Sequence, residues 1–138
     1  MDVTDPRGYV RRVQFGATGY MTSDTHAVGQ PEQQTATYSY YSDNLLKSVT
    51  DALGRVTSFD YDAWGHTTRV TRLDGTPNAV TTTMAYNGPF VALSSVTDPL
   101  GHTTSFSYDA SGNMTTATDA LNHQTTSAIT ASDKPPRS

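Results

Sequence analysis

The sequence predicts an all-β fold, an antiparallel array of β-hairpins repeating about every 21 residues to form one curved, open sheet. Three observations predict it. A phrase made of Thr-Asp, a turn, Thr-x-Phe-x-Tyr-Asp and a second turn with Gly runs from Thr50 to Thr71, and it returns from Thr97 to Thr118. The chain also holds 24 threonines and eight tyrosines among its 138 residues, types that fit a pleated, half-buried surface. Finally, each copy alternates with period two: Thr57, Phe59 and Tyr61 share one face and Val56, Ser58 and Asp60 the other. Thr104, Phe106 and Tyr108 repeat that arrangement.

Two strands of about seven residues and two turns of about four fill one unit, so each unit reads as a hairpin. The first runs from Thr4-Asp5 through Phe15 and Gly19 to about Thr25. His26 to Gln34 is polar, breaks the period and reads as an extended hairpin loop. A unit with Tyr38 and Val49 follows, then the copy from Thr50 to Thr71. The next unit, from Asp74 to Thr97, is longer, with Asp74-Gly75 and Asn87-Gly88 as turn signals. After the copy from Thr97 to Thr118, Thr118-Asp119 opens another. Residues 1–131 thus read as one repeat sheet of five to six units and 132–138, with Pro135-Pro136, as a disordered tail. The expected edge strands lie near Val10–Phe15 and Thr125–Thr130, with edge-to-edge self-association of the free chain as the consequence.

Turn chemistry supports these divisions. In Asp98-Pro99-Leu100-Gly101 the aspartate can accept a bond from its own backbone, proline pre-sets φ, and Gly101 accepts a positive φ. Asp51 to Gly54 and Asp5 to Gly8 share the plan. The second turn follows Tyr61-Asp62 to Gly65 and Tyr108-Asp109 to Gly112, with Asn44 in the glycine column of an earlier copy. A four-residue loop at 63–66 places Phe59 opposite Val70, Tyr61 opposite Thr68 and Asp62 opposite Thr67. The same offset pairs Tyr38 with Val49 and Phe106 with Ala117, and a slip of one residue would lose every aromatic–aliphatic pair.

Composition narrows function. Net charge is −4 with no basic run, so no nucleic-acid partner is expected. There is no cysteine, which excludes disulfides and thiolate metal sites, and no apolar stretch approaches a membrane helix.

The columns Tyr108-Asp109-Ala110-Ser111-Gly112-Asn113, closed by Thr118-Asp119, resemble the YD repeat of Rhs-type proteins. That repeat also occurs in insecticidal toxin-complex C components and teneurin ectodomains, and the resemblance spans residues 4 to 130. It implies a long antiparallel sheet spiralling into a hollow shell, which in bacterial members encloses a C-terminal toxin. Such parents are typically secreted or on the cell surface. Five to six units are too few to close a shell. The resemblance therefore implies a shell fragment, whose partners are further repeats and an effector domain of a larger parent chain. Asp98-Pro99-Leu100-Gly101 superficially matches the family's self-cleavage segment, but it aligns with Asp51 to Gly54 and reads as a turn.

Candidate chemistry is sparse. His66, His102 and His123 follow turns without a His-x-x-x-His spacing, and His26 stands alone in a polar loop, so no metal site is expected. Asp51, Asp98, Asp119, Asp62 and Asp109 recur in every unit, whereas a catalytic acid–base pair is needed once and in two different environments. Turn bonding accounts for them better. Neither a nucleophile elbow nor a calcium β-roll pattern is present, so no catalysis and no cofactor are expected. Trp64, at a hairpin tip, either caps a neighbouring hairpin or stacks on a glycan or partner protein. The reading is a structural wall segment, with a carbohydrate- or cell-surface-binding module as the alternative.

Overall fold

The computed structural model describes residues 1–87 and 91–126. They form twelve strands: β1 (Asp2–Thr4), β2 (Val10–Phe15), β3 (Met21–His26), β4 (Gln34–Tyr40), β5 (Leu46–Thr50), β6 (Val56–Tyr61), β7 (Thr67–Arg72), β8 (Val80–Asn87), β9 (Ala92–Thr97), β10 (Thr103–Tyr108), β11 (Met114–Thr118) and β12 (Gln124–Thr126). Each strand pairs with the next in one open sheet that does not close on itself. Every pairing is antiparallel, from β1–β2 to β11–β12. Sequence order and spatial order coincide because the connections, seven residues at most, are too short to cross the sheet.

The register follows the aromatic columns. Phe59 faces Val70, Tyr38 faces Val49 and Phe106 faces Ala117. One detail differs from expectation: Tyr61 pairs with Thr67, not Thr68, and Asp62 is part of the turn. The cause is a β-bulge, in which Thr68 is the extra residue between Asp60↔Arg69 and Tyr61↔Thr67. The Asp62 N–H donates to the His66 carbonyl at 2.9 Å, which draws the chain into a five-residue turn and leaves one residue over on the return strand. The same shift recurs at Phe15, Tyr40, Tyr86 and Tyr108.

The alternation sorts the side chains onto two unlike faces. Directly paired residues share a face, so Tyr38, Val49, Phe59, Val70, Met84, Val96 and Phe106 lie together with Val13. The reverse face is lined by hydroxyls, as in the run Ser39–Ser48–Ser58–Thr71–Thr81 across five strands. Neighbouring hydroxyls bond each other there, Ser39 to Ser48 at 2.6 Å and Thr97 to Thr103 at 2.7 Å. This face accounts for the excess of threonine. Among the described residues no second layer covers either side, and only Val13, Ser23 and Asp24 are buried. Cohesion therefore comes from the backbone ladder and cross-strand pairs, with no central core.

Two further expectations are corrected. Val10–Phe15 is not an edge, because β1 pairs along it; the edges of the described sheet are β1 and β12. Three residues in register with Val10, Arg11 and Arg12 suffice to add that strand, helped by Arg12 gripping Asp2 at 2.9 Å. His26 is not in a loop but ends β3, where its Nε2 lies 3.4 Å from Asp24. The loop 27–33 is not peculiar to the first half. Ala27 and Leu73 both take positive φ, as do Gly29 and Gly75, and the Val28 and Asp74 N–H groups donate to the carbonyls of Val10 and Val56. The loop is thus one of two matching copies, each with a proline two residues after the glycine. The expected tail at 132–138 and the strand toward Thr130 lie outside the described residues.

Candidate functional site

The repeated chemistry of this chain is concentrated at its turns. In the five-residue turns starting at Asp51, Asp62, Asp98, Asp109 and Asp119, the aspartate N–H donates to the carbonyl of the fifth residue and the N–H of the fourth donates back to the aspartate carbonyl. The fourth residue takes a positive φ, supplied by Gly54, Gly65, Gly101, Gly112 or Asn122. Oδ1 of the aspartate accepts the N–H of the third and fifth residues, for example Leu100 and His102, both at 2.9 Å from Asp98. The turns at the two ends of the sheet, distinct in sequence, are therefore built alike.

The fifth side chain then closes on the carboxylate. Arg55 Nε donates to Asp51 Oδ2 at 2.7 Å, and Asn113 Nδ2 donates to Asp109 Oδ2 at 3.1 Å. His66, His102 and His123 bring Nδ1 to 2.9, 3.2 and 3.1 Å from Oδ2 of Asp62, Asp98 and Asp119. These histidines are thus held by a carboxylate four residues back, a link that the Asp-x-x-Gly-His spacing of His66 and His102, with Asn122 in place of glycine before His123, already displays. His66 also stacks on Tyr86, with ring centroids 4.9 Å apart.

Donors crowding each carboxylate keep it charged. The backbone N–H of the residue four later, first, together with its side chain, holds Asp51, Asp98 and Asp119 below the ordinary aspartate range. For Asp109 the Asn113 side chain leads. At Asp62 desolvation pushes upward and the His66 and Trp64 donors outweigh it. A saturated, ionised carboxylate has no proton to donate at neutral pH and few free lone pairs. Among the described residues no three His, Cys, Asp or Glu side chains converge in a way that could hold a metal ion.

The tyrosines at the bulges have a different task. Tyr40, Tyr61, Tyr86 and Tyr108 donate their hydroxyls to the carbonyls of Met21, Leu46, Thr67 and Leu93 at 2.7 to 2.9 Å. Each acceptor lies on the preceding strand and pairs by backbone with the aromatic residue of the hairpin before: Met21 with Phe15, Leu46 with Tyr40, Thr67 with Tyr61, Leu93 with Tyr86. Every tyrosine therefore latches its own hairpin to the bulge of the previous one. The latch depends on strand neighbours that periodicity alone does not bring into view.

One charged cluster was hidden from sequence reasoning. Asp24 occupies the column of Val49 and Val70 and is 7% exposed. Arg11 grips it through Nε at 2.9 Å and Nη2 at 2.6 Å, with His26 alongside. Arg11 holds its carboxyl below the usual range against the cost of burial. Trp64 stands at its turn tip with 77% of its surface exposed, which removes the capping role.

A family model for the RHS repeat matches residues 40–77 and 92–126, more than half of the chain. The chain belongs to the RHS repeat family. The two RHS matches enclose the tyrosine latches at Tyr61 and Tyr108 and the turns at Asp51, Asp62, Asp98, Asp109 and Asp119. No curated protein matches the chain in sequence. Among solved structures, the crystal structure of TcdB2-TccC3-Cdc42 matches with a TM-score of 0.67 at 14% identity, covering 80% of this chain and 6% of that one. TcdB2-TccC3 without its hypervariable C-terminal region gives 0.67 at 16% identity, again with 80% and 6% covered. TcdB2-TccC3 itself gives 0.65 at 14% identity, covering 81% of this chain and 6% of that one. The RHS fold is shared at these identities, and this chain spans a small fraction of the chains it matches.

Proposed function

We propose that this chain is a wall segment of a larger Rhs-type β-shell, which encloses or presents an effector module of the same parent. The observation that carries the reading is the repeat-to-repeat construction: identical turns and tyrosine latches in successive hairpins extend a sheet without differentiating any one of them into a site. A wall needs strands joined without gaps, and twelve consecutive antiparallel strands supply that. The test is to express the parent open reading frame with and without residues 1–126 and follow protease digestion of the effector portion. Protection lost on deletion is the expected result, and protection unchanged by deletion would overturn the reading.

A second reading rests on Trp64, whose exposed indole at a hairpin tip suits stacking on a sugar or a partner surface. Titration with a glycan panel while following tryptophan fluorescence tests it. Saturable quenching that is lost in Trp64→Ala supports recognition, and silence across the panel removes it.

A further inference from the structure

We propose that the outer edge of β1 is a docking edge for one more extended strand of the Thr-x-aromatic-x-Tyr kind, seated with its aromatic residue directly opposite Val3. β1 closes with Val3-Thr4-Asp5, the same ending as Val49-Thr50-Asp51 in β5 and Val96-Thr97-Asp98 in β9. Those two strands are paired on both sides, so they show what each side requires. On the following strand Val49 meets Thr57 and Val96 meets Thr104, and Val3 meets Arg11 in the same place. On the preceding strand Val49 meets Tyr38 and Val96 meets Met84, while the corresponding residues Val70 and Ala117 meet Phe59 and Phe106. Val3 makes only the first kind of pair within the described residues, and it is 53% exposed while Val49, Val70 and Val96 are half-buried.

The backbone is set for the missing neighbour. Met1 exchanges bonds with Val13, and the Asp5 N–H donates to the Tyr9 carbonyl, so the odd-numbered residues of β1 turn their peptide groups toward β2. Alternation then directs the N–H and C=O of Asp2 and Thr4 outward, and Val3 falls in a non-hydrogen-bonded position, where cross-strand side chains approach most closely. Adding a strand to such an edge draws affinity from main-chain bonds and selectivity from alternate side chains.

A second copy of this chain fits the edge less well. In the sequence, the repeat step from Thr97 to Thr118, counted on from Phe106, reaches Ser127 and no aromatic. The proposal rests on the wall reading and names the chemistry of the next strand in that wall. Its probe is the synthetic peptide of this chain's own residues Thr103 to Asp109, titrated into the isotope-labelled 138-residue protein by NMR.

Saturable shifts confined to β1 and its β2 neighbours are expected, with contacts between the Val3 methyls and the peptide's phenyl ring. Replacing that phenylalanine by serine should weaken binding about two- to fivefold. Val3→Ser in the protein should produce a similar loss, with little further loss when both changes are combined. No saturable shift at millimolar peptide, shifts centred on β12, or indifference to the phenylalanine would each overturn the proposal. So would concentration-dependent shifts at β1 without peptide, which would mean that a second copy takes the edge. A negative result here leaves effector protection by the parent untouched, and loss of protection leaves the peptide result standing.

Discussion

At the residue scale, one column explains why this repeat tolerates variation at some positions and not at others. The fourth turn residue takes φ between +64° and +88° in the turns built on Asp51, Asp62, Asp98, Asp109 and Asp119, and asparagine replaces glycine once, as Asn122. At Gly54 φ is +78° and a Cβ would meet nothing within 4 Å, so the constraint there is conformational and not steric crowding. Gly54→Asn is expected to change stability little, whereas Gly54→Val should cost about 1–2 kcal/mol because a branched side chain is strained there. Denaturant unfolding of the two variants side by side checks this. The latch can be tested just as directly: Tyr61→Phe removes the hydroxyl bonded to Leu46 and should cost about 0.5–1.5 kcal/mol, with the Leu46 amide region the first to show faster hydrogen exchange.

Individual residues also set the pH range of the fold. The turn aspartates Asp51, Asp98, Asp109 and Asp119, and Asp62, titrate below the ordinary value of 3.8 in the folded chain. Their stabilising contribution is therefore complete above that unfolded value and is lost as pH falls through the lowered folded values. Tyr61 is shifted the other way, chiefly by burial with Asp43 nearby, from 10.0 upward. Its contribution is complete below 10 and is lost as pH rises through the raised value. Circular dichroism across pH should show a plateau bounded by acid and alkaline unfolding. Asp98→Asn with Asp119→Asn keeps an acceptor oxygen but not the charge, so it should flatten the acid limb; an unchanged limb would assign acid unfolding to other groups.

At the element scale, register is decided by cross-strand pairs and corrected by bulges. Phe59 against Val70 is the kind of pair that penalises a slip, and the bulge at Thr68 absorbs the extra turn residue without moving that pair. Phe59→Ala should destabilise by about 1–2 kcal/mol, less than a fully buried phenylalanine, because the sheet covers the ring on one side only. Urea unfolding measures it. The same single-layer geometry explains why Arg11, Asp24 and His26 could form a cluster unannounced: Asp24 sits where other units carry valine, and only the alignment of β2 with β3 brings Arg11 over it.

At the scale of the whole molecule, the absence of a core among the described residues makes stability a sum over neighbours, as in other repeat architectures. Only three of the described residues are buried, so each hairpin is held mainly by the two beside it. Unfolding is then expected to proceed from the ends. Amides of β6 and β7, at the middle of the order, should exchange far more slowly than those of β1 and β12, whereas uniform protection would contradict a neighbour-sum sheet. The same construction suits the proposed role, since a wall extended by repetition needs no centre.

The sequence by itself determined the class, the hairpin period, the columns that pair and the positions of the turns, because these depend on local φ preference and period-two alternation, both written in neighbouring residues. His66, His102 and His123 could also have been assigned to their aspartates, since the partners are four residues apart. Only the tertiary structure decided what meets across strands outside those columns. The tyrosine-to-carbonyl latches, the bulges, the Asp24 cluster, the recurrence of the 27–33 loop at 73–79 and the β1 edge of the described sheet all depend on that. The reason is physical: such contacts join residues on separate strands, and their geometry exists only once the ladder has set the register.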